Sequence, residues 1–349
     1  MQPRDHRLTD ALAQYGLPPA ETTPVVSGLM HGTWKVVAGD RRYALQRLHH
    51  KLATPEIVAD YVAVTGHLAA KGVPAPELVP TRAGEPVATV DGSWWRLSTW
   101  LDGETRMKVT SAAEARAGAR MLGRFHRAMA DIPHVFGSQH PLHDTPGHLA
   151  RLKAAVADPR YAEPRKTIAP QVRQILDLLP PLMLPETLPE RVVHGDPKIS
   201  NVLFAAAGDG PLEAVGMIDL DTCNRHTLLV DLGDAVRSWC RDGGEDEDER
   251  FHIDRFAAIL EGYAETGPPL TADEIALLPG AGRLITLELA SRFARDVLED
   301  EYFAFDATRY PDRRSHNRAR TRSMLFLAED MRAQQSAAEA LVKRFFGPG

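Results

Sequence analysis

One loop near the middle of the chain restricts its fold and chemistry more than any other feature. His194 and Asp196 follow a short β-branched run, and Asn201 comes five residues after Asp196. Eighteen residues further on, Asp219 ends a second apolar run at 215–218. A carboxylate can orient and deprotonate a hydroxyl group, and amide and carboxylate oxygens are ligands that Mg²⁺ prefers. The pattern therefore predicts one base and two metal ligands, each placed behind a strand.

The spacing of this motif is typical of a phosphoryl-transfer site. His-x-Asp-x-x-x-x-Asn is the spacing of the protein-kinase catalytic loop, and Asp219 stands where the metal-binding Asp of that signature belongs. Phosphoryl transfer needs little covalent chemistry from a protein beyond a base and the positioning of metal and phosphates. Each half of the motif recurs by chance. Both halves in order, each behind a β-branched run, predict a kinase-like fold.

The composition is that of an ordinary globular protein and argues against several other classes. The chain has 349 residues, long enough for two domains or one large bilobal domain. A net charge of −6 and a pI near 6.2 suggest no basic stripe, so we expect no nucleic-acid partner. Cys223 and Cys240 are too few for a disulfide framework. Residues 1–17 contain no apolar leader segment, and no apolar run reaches membrane-spanning length. We therefore expect a cytoplasmic protein without a membrane partner.

Hydrophobic periodicity divides the chain into a β-rich part and a helical part. Residues 24–48, 86–90 and 94–101 are patterned as five strands, and Thr54-Pro55 opens one helix between them. Later helices are expected near 111–129, 168–179, 252–264, 272–289, 290–300 and 317–345. The predicted fold class is α+β, a bilobal protein-kinase-like fold. Its small β-rich lobe, 1–101, would bind nucleotide, and its larger helical lobe, 102–349, would carry catalysis and the acceptor.

Two segments have weaker patterns. Residues 131–165 are rich in Pro and His and are predicted to form loop or a short helix. The acidic run 242–249 is predicted to be a solvated loop, with a metal-binding or basic-substrate role as the alternative.

The segments around the two halves of the motif resemble the aminoglycoside phosphotransferase and choline kinase superfamily. Residues 192–204 read Val-Val-His-Gly-Asp-Pro-Lys-Ile-Ser-Asn-Val-Leu-Phe, and residues 217–222 read Met-Ile-Asp-Leu-Asp-Thr. Members of that superfamily carry Gly where protein kinases carry Arg, as Gly195 does here. Neither an Ala-Pro-Glu segment nor a long activation loop follows Asp219.

Within the superfamily, the chain is most similar to the N-acetylhexosamine 1-kinases. The likeness rests on residues 43–48, on 196–204, on 218–222 with 231–237, and on 291–303. It implies an ATP- and Mg²⁺-dependent kinase whose small-molecule substrate is a sugar, phosphorylated at the anomeric hydroxyl of an N-acetylhexosamine or amino sugar. The alternatives are an aminoglycoside phosphotransferase and a nucleotide-binding module without catalysis.

The motif residues have expected roles. Asp196 is the proposed base and contacts the acceptor hydroxyl, while Asn201 and Asp219 hold Mg²⁺. Lys198 either neutralises charge on the transferred phosphoryl group or is a solvated surface residue. Asp221 either binds a second metal or shapes its loop.

Neighbouring residues are expected to support this loop. His194 is predicted to hydrogen-bond loop backbone rather than to carry protons. Asp231 or Asp234 is predicted to bond the same loop, with Arg237 as the ion-pair partner of such an Asp.

The small lobe departs from the kinase pattern. Gly28 and Gly32 flank a loop whose amides could approach phosphate, but the usual Lys of the third strand is replaced by Gln46. Arg47 would point the other way unless a bulge turned it inward. We expect Gly28, Gly32, Gln46 and Arg47 to line the nucleotide site, with no partner assigned on the following helix, where Glu56 and Asp60 are candidates.

The hinge and the acceptor pocket complete the predicted site. Thr99 and Leu101 lie in the stretch expected to bond adenine through backbone groups. The resemblance implies that Arg292 and Tyr302 line the sugar pocket, with His31 reaching it from the glycine-containing loop. A surface ion pair is the alternative for Arg292.

Overall fold

The small lobe is built on one antiparallel sheet. The computed structural model describes residues 6–25, 31–138, 142–205 and 212–347. The sheet order is β1-β2-β3-β6-β4, and β5 pairs with β6. The strands are β1 Ala20–Val25, β2 Gly32–Ala38, β3 Arg41–Arg47, β4 Leu78–Val79, β5 Ala88–Val90 and β6 Ser93–Thr99. The sheet thus has six strands, because the short β4 adds an edge that the sequence does not predict.

One face of this sheet packs against the N-terminal helix α1, His6–Ala13. Strand alternation places Leu45, Trp95 and Leu97 on that face, where each is fully buried. The Tyr15 hydroxyl donates to the Trp95 carbonyl at 2.5 Å and so ties the end of this segment to β6. The other face is left for the cleft between the lobes.

Helix α2, Pro55–Ala70, begins as its sequence predicts. The Thr54 hydroxyl accepts from the backbone amide of Ile57, and Pro55 occupies the first turn. Its buried residues Val64 and Leu68 join the core of the large lobe, so α2 packs between the two lobes.

The large lobe is helical. Its helices are α3 Ala112–Ala128, α4 Thr145–Ala157, α5 Ala162–Leu178, α6 Leu228–Trp239, α7 Ile253–Thr266, α8 Ala272–Glu299, α9 Arg313–Ala333 and α10 Gln335–Phe346. Three predictions need correction. Residues 145–157 form a full helix, 272–299 form one helix instead of two, and 317–345 belong to two helices. Helix α8 is continuous because its later turns are buried on nearly every side, and it stops only at Asp300 in the left-handed conformation.

Two small sheets bring the halves of the motif together. Strand β8, Arg191–Val193, pairs with β11, Asn224–His226. Strand β9, Val202–Phe204, pairs with β10, Ala214–Met217, and with β7, Glu104–Thr105. The loop after β8 and the loop after β10 therefore lie side by side.

The predicted α+β, protein-kinase-like fold is confirmed by this architecture. Among the described residues, no helix has the length and apolarity needed to cross a membrane. The lobe boundary at residues 101–102 stays a prediction.

Candidate active site

Buried polar contacts hold the loop that carries Asp196. Asp231 accepts hydrogen bonds from the backbone amides of His194, at 2.7 Å, and Gly195, at 2.9 Å. The His194 ring contacts the Ile218 carbonyl at 3.0 Å and accepts from the Asp196 amide at 3.3 Å. Both residues therefore make the backbone contacts that the sequence predicts.

Gly195 is required by the shape of this loop. Its φ of +84° lies in the left-handed region, and a Cβ there would stand 2.4 Å from the Thr222 carbonyl oxygen. The two loops approach so closely that no side chain fits between them.

Lys198 contacts two of the candidate site residues and is partly buried. Its ammonium lies 2.5 Å from the Asp196 carboxylate and 4.0 Å from that of Asp219. Burial raises the pKa of Asp196, but the charge and hydrogen bond of Lys198 lower it more. The carboxyl group therefore stays ionised down to a pH well below neutral. One cation thus bridges the candidate base and the candidate metal ligand.

Asn201 and Asp219 are suited to a hard cation. The Asn201 amide nitrogen donates to the Asp196 carbonyl at 2.9 Å, which directs the amide oxygen elsewhere. Burial raises the pKa of Asp219, and the charges of Asp221 and Asp196 raise it further against the effect of Lys198. A divalent cation would relieve this crowding of carboxylates, so the residues fit Mg²⁺.

Asp221 is paired with an arginine that the sequence analysis did not select. Arg96 on β6 donates to both carboxylate oxygens, at 2.5 and 2.8 Å, and each side chain is about 1% exposed. The Arg96 guanidinium also stacks over the Tyr61 ring on α2, 3.6 Å from its centroid. Because Arg96 already neutralises Asp221, the structure favours the loop-shaping role over a second metal, although His31, Asp219 and Asp221 bring ligand atoms within 4.8 Å of one another.

Gln46 joins this arrangement from the neighbouring strand. It faces Arg96 in the β3–β6 register, and its amide oxygen accepts from the guanidinium at 2.7 and 3.3 Å. Arg47 faces Trp95 in the same register, with its guanidinium 6.0 Å from the indole centroid, and thus lies on the opposite side of β3. The structure therefore does not bring Arg47 to the cleft.

The glycine-containing loop reaches the site through His31. Its ring accepts from the His49 amide at 3.1 Å, and its Nε2 lies 3.4 Å from Asp221. Gly32 starts β2, where a Cβ would press on the Trp34 ring at 3.0 Å. Gly28 lies outside the described residues.

Asp60, one of the candidate partners on α2, and Thr99 of the expected hinge make other contacts. Asp60 is bonded to His134 and to the amides of Gly137 and Ser138, so it is not the partner of a small-lobe cation. The Thr99 hydroxyl accepts from the Glu77 amide at 2.9 Å.

Leu101 packs beside Gly216 of β10, which links the hinge to the strand that leads to Asp219.

Arg292 and Tyr302 lie beside each other. The Arg292 guanidinium is 5.9 Å from the Tyr302 ring centroid, and that ring is about half exposed. Lys51 of the small lobe lies 5.3 Å over the same ring. These residues are placed where the lobes meet.

Comparison with known proteins identifies the family. The model of the phosphotransferase enzyme family, APH, matches residues 21–268, which is most of the chain. The chain belongs to the phosphotransferase enzyme family. It is a small-molecule kinase of that family, and membership supports ATP and Mg²⁺ as its cofactors.

Relatives and solved structures agree with this assignment. A homoserine kinase of Paramagnetospirillum magneticum is 25% identical over 276 residues, which cover 79% of this chain and 81% of that protein. The structure of a microcompartment-associated aminopropanol kinase matches with a TM-score of 0.67 and 17% identity, over 95% of this chain and 98% of that one. An amicoumacin kinase solved with AMP-PNP and Ca²⁺ matches with a TM-score of 0.63 and 14% identity, over 94% of each chain.

These comparisons confirm the superfamily and leave its narrower branch open. The two structural likenesses show the fold alone, since both fall under 25% identity. The likeness of this phosphotransferase to N-acetylhexosamine 1-kinases is not supported by the relatives named here and stays a prediction.

Proposed function

We propose that this phosphotransferase moves the γ-phosphoryl group of ATP to an alcohol hydroxyl of a small acceptor. The observation that supports this most is the cluster of Asp196, Lys198, Asn201 and Asp219 on two adjoining loops. The set contains a base, a cation and two oxygen ligands, which are the parts that phosphoryl transfer needs.

Each residue has one task in the reaction. Asp196 receives the proton of the acceptor hydroxyl as the oxygen bonds to the γ-phosphorus and the bond to the β–γ bridging oxygen breaks, leaving ADP. Lys198 orients Asp196 and offsets the negative charge of the transferred group. Asn201 and Asp219 would hold Mg²⁺, which when bound neutralises phosphate charge.

The acceptor that we place first is a small hydroxy compound of the amino-acid type. The homoserine kinase relative is similar to this chain over about four fifths of both proteins. The second candidate is the anomeric hydroxyl of an N-acetylhexosamine or amino sugar, supported by the adjacency of Arg292 and Tyr302. A polycationic aminoglycoside fits less well, because the helices from residue 285 onward are rich in arginine.

A coupled ADP-release assay separates these candidates. The panel contains homoserine, 3-aminopropan-1-ol, N-acetylglucosamine, N-acetylgalactosamine, their 1-O-methyl glycosides and kanamycin, with Asp196→Asn as the inactive control. Faster turnover of the free sugars than of the glycosides would identify C1 as the acceptor position. ATP binding without acceptor-dependent ADP release from any compound would indicate a non-catalytic module instead.

The predicted cellular location and binding partners are proposals as well. We propose a cytoplasmic location, with nucleotide and small acceptor as the partners, which fractionation of the producing cells would check.

A further inference from the structure

Two positive side chains from different lobes lie over one aromatic ring. The Lys51 ammonium, on the loop after β3, is 5.3 Å from the centroid of the Tyr302 ring. The Arg292 guanidinium, on α8, is 5.9 Å from the same centroid. Lys51 is exposed, Arg292 is partly exposed, and the ring is about half exposed. Solvent therefore reaches all three groups at a point where the small lobe meets the large lobe.

Arg292 has no counter-ion, although an acidic residue lies one helical turn away on each side, the usual position for an ion pair in a helix. In the described part of the chain, no carboxylate oxygen lies within 4 Å of its guanidinium. The carboxylate of Glu288 is taken by Thr145 and by the His143 ring, the latter at 2.9 Å. Asp296, on the other side, is taken by backbone amides, as described below.

Lys51 has no counter-ion either among the residues that the structure describes. Glu56, the acidic residue that follows it most closely in sequence, lies against Gly137. The acidic residues just before Tyr302 also have other partners. Glu299 lies 2.9 Å from Arg295, Asp300 lies 3.5 Å from Arg313, and the charge of Glu301 acts on Arg160. Both cations over the ring are thus left uncompensated.

The segment of Tyr302 is fixed before any ligand binds. Asp296 is 1% exposed and accepts hydrogen bonds from the three backbone amides of residues 301–303, at 2.8 to 2.9 Å. Asn317 of α9 donates to the same carboxylate at 2.8 Å. The aromatic ring and the guanidinium beside it therefore belong to a rigid part of the large lobe.

The loop that carries Lys51 is tied to the candidate active site. The Lys51 amide donates to the His49 ring at 3.3 Å, and the His49 amide donates to the His31 ring at 3.1 Å. His31 Nε2 lies 3.4 Å from Asp221, and ligand atoms of His31, Asp219 and Asp221 lie within 4.8 Å of one another. A continuous series of contacts thus leads from the candidate metal ligand to Lys51.

Arg292 is linked to the catalytic loop from the large lobe. Arg292 and Glu288 are four residues apart and so share one face of α8. Glu288 contacts His143. Burial lowers the pKa of His143, but the charges of Glu288, Asp234 and Asp231 raise it more. Asp231 is the residue that holds the catalytic loop, so Arg292 lies on the face of α8 that is turned towards that loop.

We propose that Lys51 and Arg292 together bind a carboxylate of the acceptor, whose carbon atoms rest on the Tyr302 ring, so that the substrate is a hydroxy acid. This inference rests on the proposed kinase function and names its substrate class. A carboxylate relieves the repulsion between two uncompensated cations, and a guanidinium can hold it through two parallel hydrogen bonds. A neutral sugar or a simple amino alcohol would leave both charges unpaired.

Matched acceptors and matched variants test the proposal. Homoserine and 3-aminopropan-1-ol differ only by the carboxylate, and glucuronate differs from glucose by the carboxylate at C6. The kcat and KM of each compound are measured for the wild type, for Lys51→Met/Arg292→Met and for Arg292→Lys. The control is Lys343→Met/Arg344→Met, which removes the same two charges from exposed positions in the last turn of α10.

We expect the wild type to prefer the carboxylated member of at least one pair by roughly 10- to 100-fold in kcat/KM. Lys51→Met/Arg292→Met should remove that preference by raising the KM of the carboxylated acceptor, with kcat little changed, because the carboxylate is bound equally before and during transfer. Arg292→Lys should keep part of the preference, and the control variant should behave as wild type.

Three results would overturn the inference while leaving the kinase function intact. The first is equal use of both members of each pair by the wild type. The second is a preference that survives in Lys51→Met/Arg292→Met. The third is a fall in kcat for carboxylated and neutral acceptors alike in that variant, since this would show that the two residues support the structure of the site and do not bind a carboxylate.

Calorimetry separates the inference from the proposed function. Asp196→Asn binds acceptors without turnover, so binding of the same four compounds can be measured even if no acceptor releases ADP. Tighter binding of a carboxylated compound than of its neutral counterpart, lost when Lys51→Met and Arg292→Met are added, would support the carboxylate site independently of catalysis. No difference within either pair would overturn it.

Discussion

Replacement of Arg96 by Met tests whether its buried ion pair with Asp221 holds the loop of Asp219 and Asp221 against the small lobe. Arg96 donates to both oxygens of Asp221, is about 1% exposed, and stacks on Tyr61. After the replacement, the side-chain contact left to Asp221 in the described part of the chain is the His31 ring, at 3.4 Å. A buried carboxylate that loses its counter-ion is strongly destabilising.

The expected cost can be estimated from these contacts. Removal of one partner of a buried pair typically costs about 3–5 kcal/mol. The stacking on Tyr61 contributes up to about 2 kcal/mol at a desolvated site and is lost in every variant at Arg96. The double variant Arg96→Met/Asp221→Asn removes both charges and should recover most of the cost of the unpaired charge, but not the stacking.

Urea unfolding of the wild type, the two single variants and the double variant gives the coupling energy directly. The pair of Arg42 and Asp102 is the control, because its charged atoms also lie close, at 2.6 Å, but both side chains are largely exposed. Its cycle should give less than about 1 kcal/mol. A coupling energy for Arg96 and Asp221 that is no larger than the control value would refute the reasoning.

Three further predictions concern the catalytic loop and the large lobe. Asp196→Asn should lower turnover by roughly 10²–10⁴-fold with little change in nucleotide affinity, and retention of more than half of wild-type turnover would exclude the base role. Asp219→Ala should abolish activity through loss of the charged metal ligand, and unchanged Mg²⁺-dependent ATP binding by calorimetry would contradict it. Burial raises the pKa of Glu288, but His143 and Thr145 lower it more, to about 2 from 4.5. The ionised carboxylate therefore contributes about 3 kcal/mol to the free energy of unfolding above pH 4.5, and this contribution is lost as the pH falls toward 2. The difference in unfolding free energy between wild type and Glu288→Gln should therefore narrow over that range, and a constant difference from pH 7 to pH 3 would count against the pair.

The catalytic loop could be predicted because its chemistry is local in sequence. Asp196, Lys198 and Asn201 lie within six residues, and the strand that leads to Asp219 follows soon after. The contact of the His194 ring with the Asp196 amide is equally local. Such short spacing fixes the geometry of a turn, so residue types alone indicate the arrangement.

Arg96, the buried cation of the small lobe, could not be predicted from residues close together in sequence. Gln46 and Arg96 are fifty residues apart and meet only through the pairing of β3 with β6. In the sequence, Arg96 follows two tryptophans in a strand pattern and carries no signal of its own. The same reason explains the acidic run, where Asp246 is buried and its partner Tyr310 lies sixty-four residues further on.

Gln46 stands where kinases carry Lys, so the small lobe would offer a nucleotide an amide group and not an ammonium group. Because the Gln46 amide oxygen accepts twice from Arg96, the amide group has one orientation, and its nitrogen is left to donate. No group in the described part of the chain accepts from that nitrogen. The small lobe would thus present a neutral donor whose direction is set by a buried guanidinium, while Lys198 would bring the positive charge from the catalytic loop. A kinase site can lose the strand lysine without losing its cation when the charge comes from the opposite lobe.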